Sequence, residues 1–294
     1  MVQKDVDLKE SVLQTTGMRP TATVWQNLFK FGRSKPLGAF GGAIAILLIV
    51  IALFAPLIAT HDPTMTDYRS TLKGPSPEMF LGGDALGRDV FSRLVYGTRI
   101  SLLVGILSVL FGITGGFAVG LISAYFGGKT DLLIQRFMDA IMAFPALILA
   151  LAIMAVLGAS ISNVIIALSA IFVPGAARTI RSQALSIKEM DYVLAARSIG
   201  AGDWRIMARH MAPNLAATYI VLATISLGWA IVVEASLSFL GVGVPPSVPT
   251  WGGMLTGATK YIDTAPLIAI FPVSYTHLRA HETLRYLVCR LLLE

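Results

Sequence analysis

Long stretches of this chain carry no charged residue at all, and nothing constrains its fold more. Pro36–Thr60, Ile100–Gly128, Ala140–Ala177 and Leu215–Val233 contain no Asp, Glu, Lys or Arg. A helix needs about 20 apolar residues to cross the hydrocarbon core, where each backbone polar group must be satisfied within the segment. The first, second and fourth runs therefore read as one span each. Ala140–Ala177 is nearly twice that length and is expected to fold as two helices with a tight turn near Gly158-Ala159-Ser160. A chain that is 55% hydrophobic and 14% charged, with a mean hydropathy of +0.73, agrees with a polytopic membrane protein and not with a soluble domain.

Several other classes fall away. The net charge of +6 comes without any basic run interleaved with aromatics, so nucleic-acid binding is not expected. One cysteine, Cys289, excludes an intrachain disulfide framework, and no His/Cys cluster has metal-ligand spacing, so no metal or cofactor is expected. Phe126-Gly-Gly-Lys129-Thr130 imitates the end of a phosphate-binding loop, GxxxxGK[ST]. Ser123 stands at its first glycine and an apolar helix precedes it where a strand is required, so no ATP site is expected. The first apolar run begins late and is long enough to span, which predicts an uncleaved first helix in place of a signal peptide.

The polar segments set the topology. Residues 1–35 form an arm in which Val24, Trp25, Leu28, Phe29 and Phe31 alternate with Lys30, Arg33 and Lys35, as in an interfacial amphipathic helix or a basic juxtamembrane flank. Residues 61–99 follow the first span and include a short helix expected over Arg88–Tyr96, with Asp89 and Arg93 as an i,i+4 surface pair. Asp139 is expected at a helix N-terminus, where a carboxylate is favourable. Ser186–Asn214 reads as a helical hairpin flanked by Arg178 and Arg181. Ser186 and Glu189 fit a capping box, Gly200-Ala201-Gly202 a break, Asp203 an N-cap, and Pro213 the next discontinuity. Lys and Arg gather in the arm, around residues 129–139 and in residues 178–214, so the positive-inside rule puts these segments in the cytoplasm and 61–99 outside.

Two places strain this scheme. Glu234 is a charge inside an apolar segment, which makes it a functional candidate or a hydrogen-bonded structural group near the outer interface. Residues 242–264 then form an outer loop rich in Pro, Gly and Trp. Ala265–Val273 begins a sixth span that stops too soon to cross a bilayer. Residues 274–294 read as a non-native tail from a frameshift, vector read or assembly error. The expected fold is thus all-α, a bundle of five complete spans and a truncated sixth, with residues 36–273 as the membrane domain.

Three stretches carry a resemblance. Tyr192–Pro213 is similar to the cytoplasmic signature E-A-A-x3-G-x9-I-x-L-P of ATP-binding-cassette importer permeases: Ala195, Ala196, Gly200 and Pro213 match, whereas Leu194, His210 and Ala212 depart. Leu81-Gly-Gly-Asp84-Ala-Leu-Gly87-Arg88-Asp89 through Leu102, and Glu234-Ala-Ser-Leu-Ser-Phe-Leu-Gly241-Val-Gly243 with Trp251-Gly252, resemble the dipeptide/oligopeptide/nickel permeases, particularly their C-type subunit. The resemblance implies the type I importer permease fold in a bacterial or archaeal cell membrane. It implies a coupling helix made by Leu194, Ala195, Ala196, Arg197 and Gly200, with Asp203 and Pro213 behind it, docked on a cytoplasmic ATP-binding subunit. Arg205 and Arg209 could add charge contacts there. It further implies a second homologous permease subunit, an extracytoplasmic solute-binding protein, and a peptide substrate, with nickel or another small solute as the alternative. Asp84, Arg88, Asp89, Arg93 and Glu234 become candidates for the outer mouth or pathway. The chain itself would not be an enzyme, since ATP hydrolysis belongs to the partner. A stand-alone secondary transporter or channel is the competing class, and it would need intramembrane charges for ion coupling.

Overall fold

The computed structural model describes residues 36–268 and 270. The expected arm over residues 1–35, the tail over 274–294 and Cys289 lie outside them. The chain divides after Ala43. Of the first unit, only the opening turns of helix α1 (Pro36–Leu53) are described.

The second unit is helical. It runs from the remainder of α1 through α2 (Val90–Phe126), α3 (Gly128–Met142), α4 (Ala146–Leu157), α5 (Ile161–Lys188), α6 (Asp191–Ser198), α7 (Ala216–Phe239) and α8 (Trp251–Ala258). Among the described residues the only β pairing is an isolated antiparallel bridge between Gly83 and Asp89. Three rods are long and apolar enough to cross a membrane: α2, α5 and the continuous stretch Asp203–Phe239 that ends in α7. A fourth is obtained if α3 and α4 count as one bent span. The five complete spans are therefore not all present as single long helices. The first charge-free run is interrupted at Phe54, before Pro56, leaving a shorter apolar helix. The third splits at Ala143–Pro145, so that only twelve residues remain for α4. The expected turn at Gly158 is present, with Gly158 in the left-handed region and Ser160 capping α5 through the Asn163 amide.

The centre of the bundle is the crossing of α2 and α5. Lipid tails are as apolar as leucine, so helices in a membrane associate by close packing of small residues. Gly112, Gly116 and Gly120 form such a stripe at four-residue spacing on α2. A Cβ on Gly116 would stand 2.5 Å from Ala176 Cβ, and one on Gly112 would stand 2.8 Å from Phe172 Cβ. Ser169 Oγ donates to the Ser108 carbonyl in the same seam, 3.2 Å away. Helix α7 runs antiparallel along α2, matching Leu227 and Ile231 to Gly105 and Glu234 to Ser101. Ile44, Leu48 and Ala52 of α1 complete the outer layer against Leu102, Ile231 and Trp251.

Several local expectations are corrected. The residues Arg88–Tyr96 do not make a separate short helix, because α2 begins at Val90 and continues to Phe126. Ser186 is no N-cap: Ile180, Ala184 and Ile187 continue the buried face of α5, which runs on to Lys188. Arg178 and Arg181 accordingly lie within α5 and face α3. Asp139 sits in the last turn of α3 and is paired with Arg178, so charge pairing, not a helix N-terminus, holds it. The outer loop at 242–264 contains α8, capped by Thr250 Oγ1, which accepts from the Gly253 amide at 3.1 Å.

Candidate functional site

Two ends of the bundle carry the candidate residues. At the first, the chain before α2 is folded by its own glycines and carboxylates. Gly82 and Gly87 have positive φ, and a side chain on either would run into the carbonyl of Lys73 or Asp67. Asp84 Oδ1 accepts the Leu86 and Arg88 amides at 2.8 and 3.0 Å, and its Oδ2 accepts Arg88 Nε at 2.7 Å. Asp89 caps α2, accepting the Ser92 amide at 3.0 Å and the Thr60 hydroxyl at 2.9 Å. Ser92 Oγ in turn accepts the amides of Thr60 and His61.

Arg93 does not form the expected surface pair with Asp89. It is 3% exposed, lies 3.6 Å from Asp84, and donates to the carbonyls of Pro63 at 2.9 Å and Pro246 at 3.5 Å. Asp84, Arg88, Asp89 and Arg93 therefore tie three distant segments into one brace over the end of α2. Charges this buried need partners, and each has at least one, although Asp89 Oδ1 accepts no hydrogen bond among the described residues.

Glu234 is 0% exposed and meets α2 at Ser101, about two helix turns beyond Arg93. Ser101 Oγ donates to its Oε2 at 3.2 Å and Ser238 Oγ to its Oε1 at 2.9 Å. Ser238 Oγ also accepts the Val244 amide at 3.4 Å, so the carboxylate holds the turn between α7 and α8 against α2. Both oxygens of its carboxylate are thus engaged by serine hydroxyls.

At the other end, α6 stands beyond the last turn of α5. Val193 and Ala196 are buried against Leu121, Ala124, Tyr125, Ile187, Ile206 and Met207. Leu194, Ala195, Arg197 and Ser198 face outward. Gly200 closes the helix with φ +77°, a conformation that costs other residues roughly 1–2 kcal/mol, and its α-carbon faces open space. Ile199 and Trp204, 85% and 71% exposed, flank this turn.

Asp203 is not the N-cap, which is Gly202; it is the first helical residue, and its Oδ1 accepts the Tyr125 hydroxyl at 2.6 Å. The Arg197 guanidinium lies 5.6 Å from the centroid of the same Tyr125 ring. One aromatic residue at the end of α2 thus grips the loop on both sides of Gly200. Sequence reasoning missed Tyr125, although its position before the Gly127-Gly128 break was visible.

Pro213 does not end the second helix. It is exposed in a 3-10 turn, Ala212–Leu215, that follows a π turn, Ile206–Met211, and the rod continues into α7. These turns absorb the missing amide of Pro213 without breaking the rod. The loop is therefore continuous with α7 and is gripped by α2.

Residues 116–279 match the family of binding-protein-dependent transport system inner membrane components, and residues 23–75 match the N-terminal transmembrane domain of oligopeptide transport permease C. The chain belongs to this permease family. The match runs beyond Val273, where the apolar run of the sixth span stops. A glutathione transport system permease protein of Pectobacterium atrosepticum is 39% identical over 85% of this chain and 83% of its own length. A dipeptide transport system permease protein of Alkalihalophilus pseudofirmus is 40% identical over 84% of this chain and 82% of its own. The inward-facing MetNI methionine ABC transporter has a chain of the same fold, with TM-score 0.54 and 18% identity over 68% of this chain and 94% of that one. This chain is accordingly a multi-pass membrane permease subunit of an importer of the ATP-binding-cassette class.

Proposed function

We propose that the permease forms the pore half of an ATP-driven importer for short peptides and that α6 is its contact with the ATP-hydrolysing subunit. The observation that carries the coupling assignment is the form of the α6 loop. A short helix anchored by Val193 and Ala196 presents Leu194, Ala195 and Arg197 outward, and Gly200 lets the chain turn back at once. The small side chain of Ala195 lets a partner surface approach the backbone closely there. Because the loop continues into α7 and is held by Tyr125 of α2, a push on α6 reaches two membrane rods together. Those rods line up along Gly105, Ser101 and Glu234, so tilting one without the other would break buried contacts.

The peptide assignment is supported by the relatives, named for dipeptides and for glutathione, itself a small peptide. In this reading the Asp84–Arg93 brace is extracytoplasmic, the α6 loop and the N-terminus are cytoplasmic, and a homologous permease subunit supplies the other half of the pore. A solute-binding protein delivers substrate at the outer brace. ATP hydrolysis resides on the partner chain.

The test is uptake of labelled dipeptide and glutathione by the complete complex in proteoliposomes. ATP-dependent uptake, competed by unlabelled peptide, is expected. Uptake driven by a proton gradient without ATP would contradict the reading.

A further inference from the structure

Helix α3 pairs its acids and leaves its bases unpaired. Asp131 turns inward, where it receives two bonds from Arg181 and a third from Ser123 Oγ, and Asp139, exposed at the edge of the helix, pairs with Arg178. Its bases point away. Lys129 and Arg136, spaced i and i+7 and so on one face, are exposed and have no partner among the described residues. Leu132, Leu133 and Phe137 beside them are exposed as well. A helix face in plain water does not favour that many large apolar side chains, and one inside hydrocarbon does not favour unpaired cations.

The orientation of α3 resolves the conflict. It bends by 87° from α4, which is apolar throughout and returns through Gly158 to pack on α5. With α4 along the bundle, α3 crosses it. The ion pairs agree: Asp131 and Asp139 are two turns apart on α3, yet their partners Arg181 and Arg178 lie within one turn on α5, as at a steep crossing. The crossing lies where the charge-free run of α5 ends, at the boundary between hydrocarbon and headgroups. An amphipathic helix lying in that plane keeps its cations at headgroup level and its leucines in the acyl boundary.

We propose that this outward face of α3 is a binding site for anionic phospholipid headgroups. Lys129 and Arg136 take the phosphates, and Leu132, Leu133 and Phe137 enter the acyl boundary beside them. Protein cover by the second permease subunit would instead leave both cations facing a dry interface, which is costly without acids to meet them. The site rests on the membrane reading of the chain but not on ATP-driven import, so a failure of either transport assay leaves it standing.

The test uses the assembled complex in lipid nanodiscs. Leu133→Cys, with Cys289→Ser, carries one fluorophore. Doxyl quenchers are placed near the headgroup or at the chain end, on phosphatidylglycerol or phosphatidylcholine. The shallow quencher should be the stronger. At equal mole fraction, phosphatidylglycerol should be enriched at the label roughly five-fold for each of the two bases. The Lys129→Gln/Arg136→Gln variant should bring the two lipids to parity. Absence of quenching by any lipid would show that protein covers the face. Stronger quenching from the chain end, or equal quenching by both headgroups in the parent chain, would likewise overturn the proposal.

Discussion

The Tyr125 hydroxyl donates to Asp203 across 2.6 Å, joining the last turn of α2 to the first residue of the rod that becomes α7. The same ring lies under Arg197, on the far side of the Gly200 turn. Removing the hydroxyl while keeping the ring separates the link from the packing. Tyr125→Phe should leave ATPase association intact but lower the solute transported per ATP hydrolysed. A hydrogen bond to a charged group contributes about 1.5–3 kcal/mol, so a several-fold loss of coupling is the expected scale. Parallel measurement of ATPase rate and uptake in proteoliposomes checks it; an unchanged ratio would remove Tyr125 from the coupling path.

Glu234 is held by two serine hydroxyls, so its substitutions should rank by hydrogen bonding. Glu234→Gln keeps an acceptor for Ser101 or Ser238 and should retain transport. Glu234→Ala leaves both hydroxyls and a cavity, and should cost roughly 2–4 kcal/mol of stability, read by denaturation in mixed micelles. Loss of transport in Glu234→Gln with unchanged stability would point to ion coupling instead.

The stripe on α2 permits a controlled comparison between glycines. Gly116→Ala places a Cβ 2.5 Å from Ala176 Cβ and 2.7 Å from the Val173 carbonyl, and should destabilise by about 1–3 kcal/mol. Gly175→Ala meets nothing within 4 Å and should be neutral or slightly stabilising. Thermal unfolding of the two variants in one detergent decides the matter.

The clamp on α3 should show pairwise coupling. Asp131→Asn and Arg181→Gln should each destabilise, and the double variant should cost less than their sum by about 0.5–3 kcal/mol. Strict additivity in the double-mutant cycle would mean that solvent and the Ser123 bond, not Arg181, hold Asp131.

How far the sequence spoke depended on range. The spans of α2, α5 and α7 follow from charge-free runs, and the Gly158 turn from its glycine and Ser160. The Gly112-Gly116-Gly120 spacing is equally present in the sequence, but hydropathy, which sums apolar content, does not register which face is small. At Ser186 a local rule lost to a longer one: the S-x-x-E capping pattern is present, yet Ile180, Ala184 and Ile187 keep the apolar period running through it. Arg93 shows the opposite limit. Its acceptors are the carbonyls of Pro63 and Pro246, and no pattern within its own helix announces partners so remote. In the α6 loop the anchor positions Val193 and Ala196 fit the helical period, whereas the grip of Tyr125 depends on where α2 ends against α6.

The central claim is that the outward face of α6 meets the ATP-hydrolysing subunit, and Ala195 tests it best because it is exposed on that face. Ala195→Trp should insert and fold like the parent chain. Gly200→Asp, which pays only a backbone cost in open space, should do the same. The decisive measurement is the ATPase subunit that co-purifies with each variant, quantified against the parent chain. The account predicts at least a ten-fold loss with Ala195→Trp, the expected scale for a bulky side chain forced into a close-packed contact. Parent-level ATPase recovery, together with parent-level ATP-dependent uptake, would contradict it.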